Sequence, residues 1–108
     1  MKRGLRMKTY DKLVRDLIPQ IIEQSGKQCE TERMEVAEIK LRLEDKLIEE
    51  FNEYLEDNNL EELADMMEVI FGLAHQLGYS DEELLQKRNE KLAAKGGFKE
   101  GIVLKKVY

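Results

Sequence analysis

Between Glu49 and Asp65 the chain reads EEFNEYLEDNNLEELAD, and the carboxylates in it are spaced to meet. Residues three apart on a helix share a face with Cβ atoms about 5–6 Å apart, so Glu50 with Glu53 and Glu62 with Asp65 each form a pair. Glu49 adjoins the first pair. If the two helices fold against each other, four or five carboxylates converge. They cannot all stay ionised in a partly dehydrated cleft unless something positive neutralises them or one of them takes up a proton. A hard divalent cation is the economical partner, because an all-oxygen, carboxylate-rich set suits magnesium, or manganese, and offers nothing to metals that want thiolate or imidazole. The other reading of the same residues is a solvated acidic face on two Glu-rich helices, with Glu62 in a capping box three residues after an N-cap Asn59.

Charge is concentrated around these residues. Residues 44–68 hold eleven acids and one base, Lys46, for a net of −10, while the rest of the chain nets +5, giving −5 in all. Concentrating like charge carries a penalty in self-repulsion, and a cation-binding site would use that field.

The elements that must position these groups can be read in outline. At 108 residues the chain fits one domain, taken as residues 10–108 behind a flexible N-terminal segment of residues 1–9, with Met7 as an alternative start to Met1. With 42% hydrophobic and 38% charged residues, no tryptophan and one proline, the composition fits a helical domain and not a disordered chain. No apolar run approaches the roughly 18 residues that span a bilayer, and the basic MKRGLRMK start is followed by no apolar segment of a signal peptide. Cys29 alone excludes an internal disulfide and suits a reducing, cytoplasmic setting. The acidity argues against a nucleic-acid backbone as partner, though not against a single nucleotide carried by a metal.

From Tyr10 to Gln24 the residues Leu13, Val14, Leu17, Ile18, Ile21 and Ile22 form a helical stripe, which Pro19 interrupts. A break is expected near Ile18, with the helix restarting with Pro19 in its first turn and residues 11–16 forming a loop or short turn from which Lys12 and Arg15 project. Gly26 is a helix stop. A second helix is expected to open at Thr31–Glu32 and run to about Asp57, with Met34, Ala37, Leu41, Leu47, Ile48, Phe51 and Leu55 facing the core. After Asn58-Asn59, a third helix, Leu60 to Leu77, is apolar nearly all round and so should be buried. In so small a domain that enclosure calls for a second copy: a symmetric dimer pairing the second and third helices with their mates, or a tetramer beyond it. Ser80 to Glu83 reads as a capping box for a fourth helix ending at Gly96-Gly97, and the tail GIVLKKVY suits a short C-terminal strand or extended arm. The fold class is therefore all-α.

Three stretches together resemble the all-α nucleoside triphosphate pyrophosphatase superfamily, the MazG-like and phosphoribosyl-ATP-pyrophosphohydrolase-like group. YDKLVRDLIPQII, Tyr10 to Ile22, is similar to the KLVRDKIP opening of one MazG-like branch, with Leu17 where lysine is commoner. The acids read EExxE followed by ExxD. RNEKLAAKGGF, Arg88 to Phe98, is similar to the family's N-x-K segment, matched by Asn89 and Lys91, and to that branch's GGF ending. The spacer between the acidic motifs is shorter than the family usually has, which bears on subfamily and base specificity. The resemblance implies a MazG-like helical bundle completed by dimerisation, with Glu50, Glu53, Glu62 and Asp65 on magnesium and Glu49 orienting or deprotonating a water. The implied reaction cleaves a nucleoside triphosphate to monophosphate and pyrophosphate.

Lys12, Arg15, Arg88, Lys91 and Lys95 are candidates to meet the polyphosphate, with Asn89 beside them. Arg88 and Lys91 also read as ordinary helix-surface cations, and Lys95 as compensation of a helix dipole. A phosphoribosyl-ATP pyrophosphohydrolase and a non-catalytic helical dimerisation module are the alternatives. His75 reads as a hydrogen-bonded structural residue, Cys29 as inert, and Glu68 as an outer neighbour of the acids or a solvent-facing residue.

Overall fold

The computed structural model describes residues 11–108, so the expected N-terminal segment of residues 1–9, Tyr10 and the choice of start lie outside the described residues. Within them the chain is all-helical: α1 (Ile18–Gln24), α2 (Val36–Asp57), α3 (Leu60–Gln76) and α4 (Asp81–Lys95). Pro19 lies in the first turn of α1, where its missing N–H would have found no intrahelical partner. Ahead of it, residues 11–17 are a loop closed by one turn, Ile18 N donating to Arg15 O at 3.0 Å.

α2 opens at Val36 behind an N-cap Glu35 and not at Thr31. The stretch TERME, residues 31–35, has only Met34 as a large apolar residue, too little to bury a helix face, and short helices without such burial are marginal. Once the stripe Ile39, Leu43, Leu47, Glu50, Tyr54 begins, the helix holds to Asp57. Asn58 then takes a left-handed conformation, φ 48°, and its N–H donates to Tyr54 O at 2.7 Å. Asparagine tolerates this geometry better than most residues. Asn59 follows at once as the N-cap of α3, its Oδ1 accepting from Glu62 N at 2.9 Å. So short a connection makes α2 and α3 an antiparallel hairpin.

α2 packs mainly on α3, and α3 on α4. Gly72 permits the α2–α3 approach: a Cβ there would stand 3.1 Å from Leu43 Cδ2. Leu43, Val69 and Ala74 are the buried apolar residues among those described. α4 starts with the expected capping box, Ser80 and Glu83 each accepting from the other's backbone N–H, and stops at Lys95 before Gly96.

Much of the expected core lies open in the single chain. Leu41, Ile48, Phe51 and Leu55 form a second apolar stripe on α2, and all four are exposed. Ala37 is exposed too, while Leu47 is half-buried. The helix buries the face that carries Leu43 and Glu50 instead. On α3, Leu63, Met67 and Ile70 are exposed as well, so this helix is not enclosed by its own chain. The Cα radius of gyration is 19.0 Å, against about 13 Å for a compact domain of this size. Residues 102–108 carry no strand, since a strand needs a partner for its backbone groups and the described chain offers none. Among the described residues no helix is long and apolar enough to cross a membrane.

Candidate metal centre

The hairpin brings the two acidic motifs together. Glu49, Glu50 and Glu53 come from consecutive turns of α2, Glu62 and Asp65 from the start of α3. Two triads result, Glu49–Glu50–Glu53 and Glu50–Glu62–Asp65, each offering carboxylate oxygens within 4.8 Å of one another. Glu50 belongs to both and is only 6% exposed. Of the capping box expected at Glu62 the structure forms one half: its backbone N–H takes the Asn59 cap, and its carboxylate belongs to the acid cluster instead. Glu68 is exposed and lies in neither triad.

Among the described residues, three cations meet these acids. Lys12 Nζ lies 3.1 Å from Glu49 Oε1, and Arg15 donates to Asp65 Oδ1 at 2.6 Å, both from the loop before α1. That loop is further tied down by Arg42, which donates to the Asp11 carbonyl at 2.9 Å. Lys46, on α2 itself, lies 3.3 Å from Glu49 Oε2 and 3.3 Å from Glu50 Oε1. Lys46 enters the sequence expectation only through the charge balance and not as a site residue. The signal was available, because it sits three and four residues before Glu49 and Glu50, the spacing at which helix side chains touch.

Five carboxylates outnumber the three cations, and the arrangement shows the strain. Among the described residues no donor reaches Glu50 Oε2 or Glu62 Oε2, although both oxygens are buried. Loss of solvent, then the charges of Glu53, Glu50 and Asp65, push the Glu62 carboxyl up to about 7. Glu53 is raised for the same reasons, desolvation first and the Glu50 charge next. Glu49 goes the other way: burial would raise it, but the hydrogen bonds and charges of Lys12 and Lys46 outweigh that and hold it below the usual range. The hydrogen bond to Glu49 correspondingly raises Lys12.

These residues could hold a metal ion, and the donor set fits a hard divalent cation. All its atoms are carboxylate oxygens, and two of them are buried without donors. An unpaired buried charge is unfavourable unless something compensates it.

The α4 candidates stand elsewhere in the single chain. Arg88 donates to Asn89 Oδ1 at 3.1 Å and lines an apolar groove of about 170 Å³ with Met67, Ile70, Phe71, Leu84 and Leu85. Among the described residues no ion pair joins Arg88, Lys91 or Lys95 to an acid of the triads. His75 Nε2 is 2.6 Å from Asp81 Oδ1, tying the end of α3 to the start of α4 as a structural residue would. Cys29 is half-buried, its Sγ 3.9 Å from the Pro19 carbonyl.

Compared with known proteins, the chain matches no family model, no curated protein and no solved structure.

Proposed function

We propose that this chain is a magnesium-dependent nucleotide pyrophosphohydrolase of MazG-like type, cleaving the α–β phosphoanhydride of a nucleoside triphosphate. The observation that carries the reading is Glu50: nearly buried, common to both triads, and with one carboxylate oxygen that no donor meets. A purely solvated acidic face would have turned that oxygen to water.

Glu50, Glu53, Glu62 and Asp65 are the residues that would hold magnesium, or manganese. Such an ion lowers the pKa of bound water and neutralises charge on the departing pyrophosphate. Glu49 is ionised at neutral pH, its carboxyl held below the usual range by Lys12 and Lys46, so it can accept a proton from the attacking water. In the reaction a bond forms from the water oxygen to the α-phosphorus, the bond to the bridging oxygen breaks, and pyrophosphate leaves with that electron pair. Lys12 and Arg15, which pair with Glu49 and Asp65, would donate to phosphate oxygens, Arg15 with the planar fork that suits them.

A second copy of the chain belongs to the same proposal. The cleft beside Glu49, lined by Asp11, Lys12, Arg42 and Lys46 among others, holds about 80 Å³, whereas small-molecule sites run to about 300–1,000 Å³. The open stripe Leu41, Ile48, Phe51, Leu55 and the exposed side of α3 are apolar surface of the kind an obligate partner covers. A mate could also bring the α4 cations and Asn89 that its own chain keeps away from the acids. Light scattering is expected to give at least twice the 12.7 kDa chain mass; a monomer at micromolar concentration would remove this part.

The activity is tested by pyrophosphate release from a panel of ordinary and modified nucleoside triphosphates with magnesium, phosphoribosyl-ATP included. Magnesium-dependent release from at least one nucleoside triphosphate is expected. Turnover of phosphoribosyl-ATP alone would move the chain to the histidine-pathway reaction, and magnesium binding absent from calorimetry would leave a helical dimerisation module.

A further inference from the structure

Lys46 is the cation that the acid cluster carries within its own helix. Its ammonium touches both the centre of the triads, Glu50, and the α2 carboxylate Glu49, at 3.3 Å each. Its side chain is 17% exposed, less than that of Lys12 or Arg15, so this contact is poorly screened. It is also the one base among residues 44–68. Surface helix pairs are better with the acid N-terminal to the base, and Lys46 stands in the reverse order. Helix stabilisation is therefore a weak reason for it to be there.

From these contacts we infer that Lys46 is a resident counter-cation of the site, holding Glu49 and Glu50 together when no metal is bound and competing with the metal for Glu50. It is a positioning residue: it meets the substrate's chemistry only through the acids it holds. Lys46 Nζ and a divalent ion draw on the same carboxylate, Glu50, so loading the site means surrendering at least part of the lysine contact. Lys12 and Arg15 do not share this position. They reach in from the loop before α1 to the outer acids, Lys12 to Glu49 and Arg15 to Asp65. The consequence is a site kept assembled at low metal concentration at the expense of affinity.

This inference rests on the metal-site reading above, and calorimetry with manganese and magnesium separates the two. The wild-type chain, Lys46→Met and Lys46→Gln are titrated at pH 7.5, and melting temperatures are measured in chelator and in saturating metal. Both variants are expected to bind manganese about tenfold more tightly, since a competing unit charge is removed. In chelator they should melt below the wild type, and saturating metal should close that gap. If Lys46→Met does not fold without metal, Lys46→Gln, whose amide still donates to Glu50, supplies the comparison. Affinity that is unchanged or weaker in the folded variant overturns the competition. Absence of metal binding by the wild type instead overturns the proposed function itself.

Discussion

Replacing Glu50 by glutamine should abolish pyrophosphohydrolase activity while making the metal-free protein harder to melt. Glu50 is shared by both triads, so its loss removes a ligand from either arrangement of the ion. A fall in kcat/KM of at least about a thousandfold is expected, roughly 4 kcal/mol of transition-state stabilisation, with a parallel loss of magnesium affinity by calorimetry. The stability effect has the opposite sign. In chelator the wild-type residue holds a buried oxygen that no donor reaches, beside Glu53 and Glu62 carboxyls whose affinity for protons its charge raises. The amide is uncharged and can donate to those carboxylates. Relief of about 1–2 kcal/mol, less what the lost Lys46 contact gave, corresponds to a rise of several degrees in a chain of this size. A variant that binds magnesium and turns over like the wild type would end the functional proposal. One that melts lower in chelator would show that the oxygen has a partner.

The metal-free protein should also lose stability as pH rises from about 4.5 to 7, the reverse of the usual trend for paired acids. The sign follows from Glu62. Its ordinary value is 4.5 and its folded value is about 7. Between those limits the unfolded chain has released the proton and the native chain still holds it. The native state binds more protons there, so stability falls with rising pH until Glu62 is ionised in both states. Glu53, raised as well, acts in the same direction. Glu49 does not cancel this: its folded value is lowered, so its contribution is present above 4.5 and is lost only at more acid pH. Lys12, raised above 10.5, contributes at all pH values below that and changes only in strongly basic solution.

Saturating magnesium should remove the fall, because a cation satisfies the carboxylates in their ionised form. Its effect on melting temperature should therefore be larger at pH 8 than at pH 5, about 2.7 kcal/mol when the ion is at a hundred times its Kd. Melting curves in chelator and in magnesium across this range, with Glu62→Gln as the control that flattens the chelator series, make the measurement. A flat chelator series for the wild type would mean that Glu62 titrates normally.

Local rules that need no partner were readable in the chain. The Pro19 entry into α1, the Asn58-Asn59 break, the Asn59 cap and the Ser80 capping box depend on residues within four positions of one another, where sequence spacing is geometry. The convergence of the acidic motifs was readable as well, given the hairpin, because EExxE and ExxD each place their carboxylates on one helix face. The start of α2 was misplaced for the complementary reason. Thr31 and Glu32 have the types that open a helix, but whether one starts there depends on a face worth burying, and that begins only at Ile39.

Tertiary structure decided what spacing cannot encode. Which of two apolar stripes on α2 faces α3 depends on the Gly72–Leu43 approach, and the choice left Leu41, Ile48, Phe51 and Leu55 in solvent with Glu50 inside. The loop before α1 sets Lys12 and Arg15 on acids 37 and 50 residues away. Composition fixed how much charge the chain carries; the fold determined which carboxylate lost its water and how close each counter-charge came, and the strength of an electrostatic contact depends on just those two quantities.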